Sequence, residues 1–107
     1  MELTRSEKSL LMYFETQAVD YGGTLESVRM NAHDHSIAKR WRESGFVHFG
    51  RVAFNDIKTH GGTARDYWCV LSEQAWVLAQ AERRARCDRV MATLKVERKG
   101  FFADQAA

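Results

Sequence analysis

Proline is absent from the 107 residues, so no position carries the fixed φ and missing N–H that break helices and inner strands. Turns fall to glycine and asparagine instead. Cysteine is scarce: Cys69 and Cys87 have neither metal spacing nor a disulfide framework, which fits a reducing, cytoplasmic compartment. No apolar run approaches the roughly 18 residues of a membrane helix. The crowd of Glu2, Arg5, Glu7 and Lys8 at the start is no signal peptide. Net charge is only +2, which excludes a polybasic binder. Nucleophile motifs, phosphate loops and paired acids are also missing, so the chain is not expected to be an enzyme. His33, Asp34 and His35 adjoin one another, and His48, His60 and Cys69 follow. Helix positions two apart diverge, however, and no pair has zinc-finger spacing, so neither metal nor cofactor is expected. Cys69 lies in an apolar stretch and reads as core. Cys87, between Arg86 and Asp88, reads either as an incidental surface cysteine or as a redox-sensitive thiol, since a neighbouring cation favours thiolate.

What is present suffices for one core: 45% of residues are hydrophobic, with six Phe, three Tyr and three Trp. Thr4-Arg5-Ser6-Glu7 forms a capping box, Leu10, Leu11, Phe14 and Ala18 recur at helical spacing, and Gly22-Gly23 supplies a stop. A first helix is predicted over about 5–20. Thr24 can cap a short second helix with Leu25 and Val28 inward. Asn31 or Asp34 can cap a third, over about 32–44, with Ile37, Ala38 and Trp41 as its apolar stripe and Gly45 beyond its end. Phe46–Phe54 is rich in strand formers, with Gly50 a candidate bulge, and 66–71 is its expected antiparallel partner around a polar, glycine-bearing loop. Ser72 caps a last helix predicted over about 73–99, ending in Lys95, Arg98, Lys99 and Gly100. The expected fold class is therefore mainly α with a small antiparallel β-hairpin, as one domain over 1–100 and a tail over 101–107.

The order helix, helix, helix, hairpin, helix resembles the winged helix-turn-helix superfamily. Ile37–Val47 is similar to the end of a recognition helix entering the first wing strand. Tyr67–Ala75 is similar to the second wing strand passing into a final helix, as in small bacterial regulators of the multiple-antibiotic-resistance and phenolic-acid types. The wing would then span about 46–71. Between Leu25 and Gly45 the chain is about one helical turn shorter than the common pattern, and the missing turn falls in the second helix or the connection after it.

Charge is unevenly placed. Residues 1–35 hold three basic and six acidic groups, residues 36–65 six and two, and the remainder seven and six. Positive charge thus gathers where the resemblance puts the DNA-reading surface. The resemblance implies duplex DNA as partner, contacted by His35, Ser36, Lys39, Arg40 and Arg42 from the third helix and by Lys58, His60, Thr63 and Arg65 from the wing. It implies a transcriptional regulator, bacterial or carried by a phage or mobile element. The alternative is a winged-helix adaptor, or a small phage-type inhibitor, that binds a protein. Ala85, Val90, Leu94, Val96, Phe101 and Phe102 persist as apolar positions beyond the domain's own reach and are expected to form a homodimer seam.

Overall fold

In the computed structural model, which describes residues 1–94, the first helix starts as its spacing requires. Thr4 Oγ1 accepts from Glu7 N at 3.2 Å, and the Glu7 carboxylate accepts from Thr4 N at 2.8 Å. This helix, α1 (Arg5–Tyr21), buries Leu10, Leu11, Met12 and Phe14 and stops at Gly22, which is left-handed at φ 65°.

The next segment departs from expectation. Thr24 and Leu25 form a short strand, β1 (Thr24–Leu25), and a single 3-10 turn follows at Ser27–Arg29 in place of a second α-helix. Leu25 is fully buried as expected, but Val28 is 79% exposed. The Thr24 hydroxyl does not cap: it donates to Tyr21 O at 3.1 Å and accepts from Arg65 Nε at 2.9 Å. Residues 26–30 are too few for an α-helix, and the Asp66 carboxylate pins them by accepting from Ser27 N at 3.1 Å and Ser27 Oγ at 2.6 Å. Burial pushes the Asp66 carboxyl up, but those bonds and the charge of Arg51 outweigh it and leave its pKa lowered.

Of the two candidate caps for the next helix, Asn31 takes the role. Its Oδ1 accepts from Asp34 N at 2.8 Å while Asp34 returns the bond to Asn31 N at 3.1 Å. This is α2 (Ala32–Ser44), the predicted third helix, with Ile37, Ala38 and Trp41 buried as its periodicity requires.

After Gly45 come β2 (Val47–Arg51), β3 (Lys58–His60), β4 (Thr63–Arg65) and β5 (Tyr67–Leu71). The main sheet has the order β1-β5-β2, antiparallel throughout. Its ladder runs unbroken from Val47 opposite Leu71 to Arg51 opposite Tyr67, so Gly50 is no bulge. The Trp68 indole lies over it instead, and a Cβ at Gly50 would stand 2.7 Å from Trp68 Cζ2. The polar loop carries its own hairpin of β3 and β4, turned by Gly61-Gly62 with φ of 58° and 83°. A two-residue turn with both φ positive matches the twist of the flanking strands, and glycine adopts it without strain.

Alternation in β2 and β5 sends Val47, Phe49, Cys69 and Leu71 into the core. There the fully buried Phe14 ring stacks on Phe49 at 6.0 Å and meets Trp41 edge-on at 6.1 Å, and Trp41 meets Phe46 at 5.2 Å. Ser72 Oγ accepts from Ala75 N at 3.1 Å to start α3 (Glu73–Leu94). Ala75 and Ala79 give α3 a small-residue face that approaches the core closely, while Arg83 ties it to the Glu15 carboxylate of α1. The expected continuation through 95–99 and the tail at 101–107 lie outside the described residues. Among the described residues no helix is long and apolar enough to cross a membrane.

Trp41 joins α2, α1 and the start of β2 through one buried ring. Trp41→Ala is expected to cost about 3–5 kcal/mol of folding free energy, read as a lower urea midpoint. A variant melting like the wild type would place this ring outside the core.

Candidate nucleic-acid interface

The stripe of Ile37, Ala38 and Trp41 turns the rest of α2 to solvent. At about 100° per residue, His35, Lys39 and Arg42 fall on the flank beside the sheet, and Ser36 and Arg40 on the other flank. Ser36, Lys39, Arg40 and Arg42 are exposed. His35 is half-buried: its ring meets Tyr67 edge-on at 5.3 Å and Phe49 at 6.1 Å. Phe49 and Tyr67 stack nearly parallel, 5.3 Å apart, and the Arg51 guanidinium lies 5.5 Å above the Tyr67 ring. Together these groups line a cleft of about 440 Å³ bounded by His35, Lys39, Arg42, Gly50 and Arg51, with an aromatic floor.

The electrostatics of this face are mainly cationic, with the exposed Glu43 of α2 set among the cations. Lys8, Arg29, Arg65, Arg83, Arg86 and Arg89 are in ion pairs, whereas Lys39, Arg40, Arg42 and Arg51 have no carboxylate partner among the described residues. Unpaired cations around a shallow cleft create a positive potential suited to an anionic partner. Arg51 is the member that the residue pattern missed. Strand alternation was its signal, because Arg51 is two residues beyond the buried Phe49 and so projects to the same side.

The residues expected on a wing divide. Lys58 and His60 are exposed on the β3–β4 hairpin and Thr63 is half-buried. His60 packs edge-on against Tyr21 at 5.3 Å, and with Lys58 it lines a second cleft, of about 470 Å³, beside the end of α1. That cleft shares no lining residue with the one at α2. Arg65, expected to grip a phosphate, is 2% exposed and fully engaged inside the fold. Its Nη1 meets Glu26 Oε1 at 3.0 Å, its Nη2 donates to Thr24 O at 2.7 Å and to Gln17 Oε1, and its guanidinium lies 3.8 Å from the Tyr21 ring centre. Strand parity puts Arg65 on the same side as Tyr67 and Arg51, and the partners that α1, β1 and Glu26 bring there are what bury it.

Of the expected dimer-seam residues, Ala85 is half-buried, while Val90 and Leu94 are 56% and 57% exposed. Helical spacing puts Ala85 roughly 140° from Val90 and Leu94 only about 40° from it. A single seam can therefore hold the last two but not Ala85. Val96, Phe101 and Phe102 lie outside the described residues. Burial pushes the Cys69 thiol up to about 12, so it is an inert core group, whereas Cys87 is exposed with Sγ 3.6 Å from Met91 Sδ.

Comparison of the chain with family models, curated proteins and solved structures found no match.

Because Arg65 serves the fold, Arg65→Met is expected to lower stability by about 1–3 kcal/mol through the lost bonds to Gln17, Thr24 and Glu26, the last of which keeps only its exposed Arg29 partner. Urea unfolding would measure this. Wild-type stability together with weakened duplex binding would instead return Arg65 to the interface.

Proposed function

We propose that the chain is a winged-helix protein that binds duplex DNA, with α2 as its recognition helix. The observation that carries this reading is the exposed group of Lys39, Arg42 and Arg51 at the junction of α2 and β2, with Arg40 on the other flank of α2, all four without an ion pair among the described residues. The arrangement of elements supports it. A short β1 after the first helix, the sheet order β1-β5-β2, and a hairpin extension between β2 and β5 are compatible with a winged helix, although a single 3-10 turn stands where that plan has its second helix. Ser36, Lys39 and Arg40 would face base edges in the major groove, while Arg42 and Arg51 would meet backbone phosphates. A transcriptional regulator is the role that this chemistry serves most directly.

A second reading, a protein-binding adaptor, is favoured by Trp68 and Val70. They share the outer side of β5 and remain 37% and 55% exposed.

Lys39→Ala and Arg40→Ala are expected to weaken duplex binding by about 1–3 kcal/mol each without lowering the melting temperature. Arg51→Gln is expected to weaken binding equally across sequences and to reduce the salt slope by about one. Fluorescence anisotropy over a salt series would read both effects. Unchanged affinity in all three variants would remove α2 from the reading surface, and salt-insensitive binding would favour the adaptor.

We also infer a homodimer through the far part of α3, with Val90 and Leu94 in the seam. Two-fold pairing would present two copies of α2 to a palindromic site. Sedimentation of the full chain is expected to show a dimer that Val90→Glu with Leu94→Glu converts to monomer. A wild-type monomer at micromolar concentration overturns the inference.

A further inference from the structure

The inward face of α3 changes character along its length. Ala75 and Ala79 pack on the core and Glu82 is buried, but the same face then presents Arg86, Arg89 and Val90. Across from it stands the first part of α1, with Arg5, Lys8 and Ser9. These seven side chains, Glu82 included, line a cleft of about 680 Å³.

Glu82 organises the cleft. Its carboxylate meets Lys8 Nζ at 4.0 Å, Arg86 Nε at 3.4 Å and Arg89 Nη2 at 3.3 Å. Burial raises its pKa, but the bonds from Arg89 and Arg86 and the charge of Lys8 outweigh that effect and keep it ionised. One carboxylate compensates one cation. With Arg5, which has no ion pair among the described residues, the lining carries a surplus of three positive charges. Such convergence is self-repelling, and a compact multivalent anion would relieve it. Arginine forks and the Ser9 hydroxyl are suited to phosphate oxygens. Among the described residues no aromatic side chain lines the cleft, so none of them provides a stacking platform for a base.

We propose that the cleft between α1 and α3 is a binding site for a diphosphate group, supplied by free pyrophosphate or by the phosphate end of a nucleoside diphosphate. Arg5, Lys8, Arg86 and Arg89 hold the anion, and Glu82 fixes the positions of the last three. The cleft shares no residue with the α2 surface, so this site stands independently of the DNA reading, while its edge at Val90 borders the inferred dimer seam. An anion here bridges α1 to α3 and stabilises the folded chain by mass action.

Isothermal titration of the full chain with pyrophosphate at constant ionic strength tests the site, with ADP and inorganic phosphate as further arms. The expected result is saturable binding of pyrophosphate, weaker binding of phosphate, and ADP binding like pyrophosphate because the base adds nothing; ADP markedly tighter would assign the site to the nucleotide. Arg5→Gln and Arg89→Gln, both at exposed positions, should each weaken binding about tenfold with melting temperature kept. Lys39→Ala should leave it unchanged. Absence of saturable heat, wild-type affinity in both arginine variants, or loss of binding in Lys39→Ala overturns the proposal. Competition of duplex DNA for pyrophosphate, abolished by Arg89→Gln, would reassign the cleft to DNA and also overturn it.

Discussion

Removing a guanidinium from water is costly unless every face of it finds a partner, and at Arg65 the partners come from three places in the chain. Gln17 and Tyr21 belong to the end of α1, Thr24 to β1, and Glu26 to the turn beyond it. Much of the fold's middle depends on this convergence. It holds β1 against β5, occupies the Thr24 hydroxyl that would otherwise be free to cap a helix, and anchors the base of the β3–β4 hairpin to α1. The neighbouring Asp66 extends the constraint by pinning Ser27. Two adjacent residues of opposite charge thus stitch the hairpin's return strand to the connection between α1 and α2.

That stitching shapes the candidate interface. With the link between α1 and α2 reduced to a strand and one 3-10 turn, α2 lies directly against β2, where its His35 side meets the stacked Phe49 and Tyr67 rings. Those rings in turn support Arg51. A cation held over an aromatic face loses less freedom on meeting an anion than one on a free stem. The basic surface is therefore a joint product of helix and sheet.

Charge is also partitioned between two regions with different organisation. Around α2 the cations make no ion pair among the described residues. Between α1 and α3 they gather about a single buried Glu82. Both regions carry a surplus of positive charge, and they differ in whether a carboxylate holds the cations in place.

Features that depend on a few neighbouring residues were legible in the sequence. The reciprocal cap at Thr4 and Glu7, the Ser72 cap, the stop at Gly45 and the stripe of Ile37, Ala38 and Trp41 all involve partners within about one or two turns, and each formed as its spacing requires. Long-range pairing decided the rest. The strand β1 exists because Thr24 and Leu25 meet Trp68 and Tyr67, and two residues carry no periodicity from which to read a strand. Gly50 looked like a bulge because local pattern does not reveal the Trp68 ring that covers it. By itself the sequence determined where the helices begin, which faces they bury and that positive charge gathers between residues 36 and 65, because side-chain periodicity and capping are local. Only the tertiary structure decided which cations stay on the surface. Arg65 turned inward to Glu26 and Arg51 remained at the cleft, because burial of a charge is settled by the partners that folding brings to it.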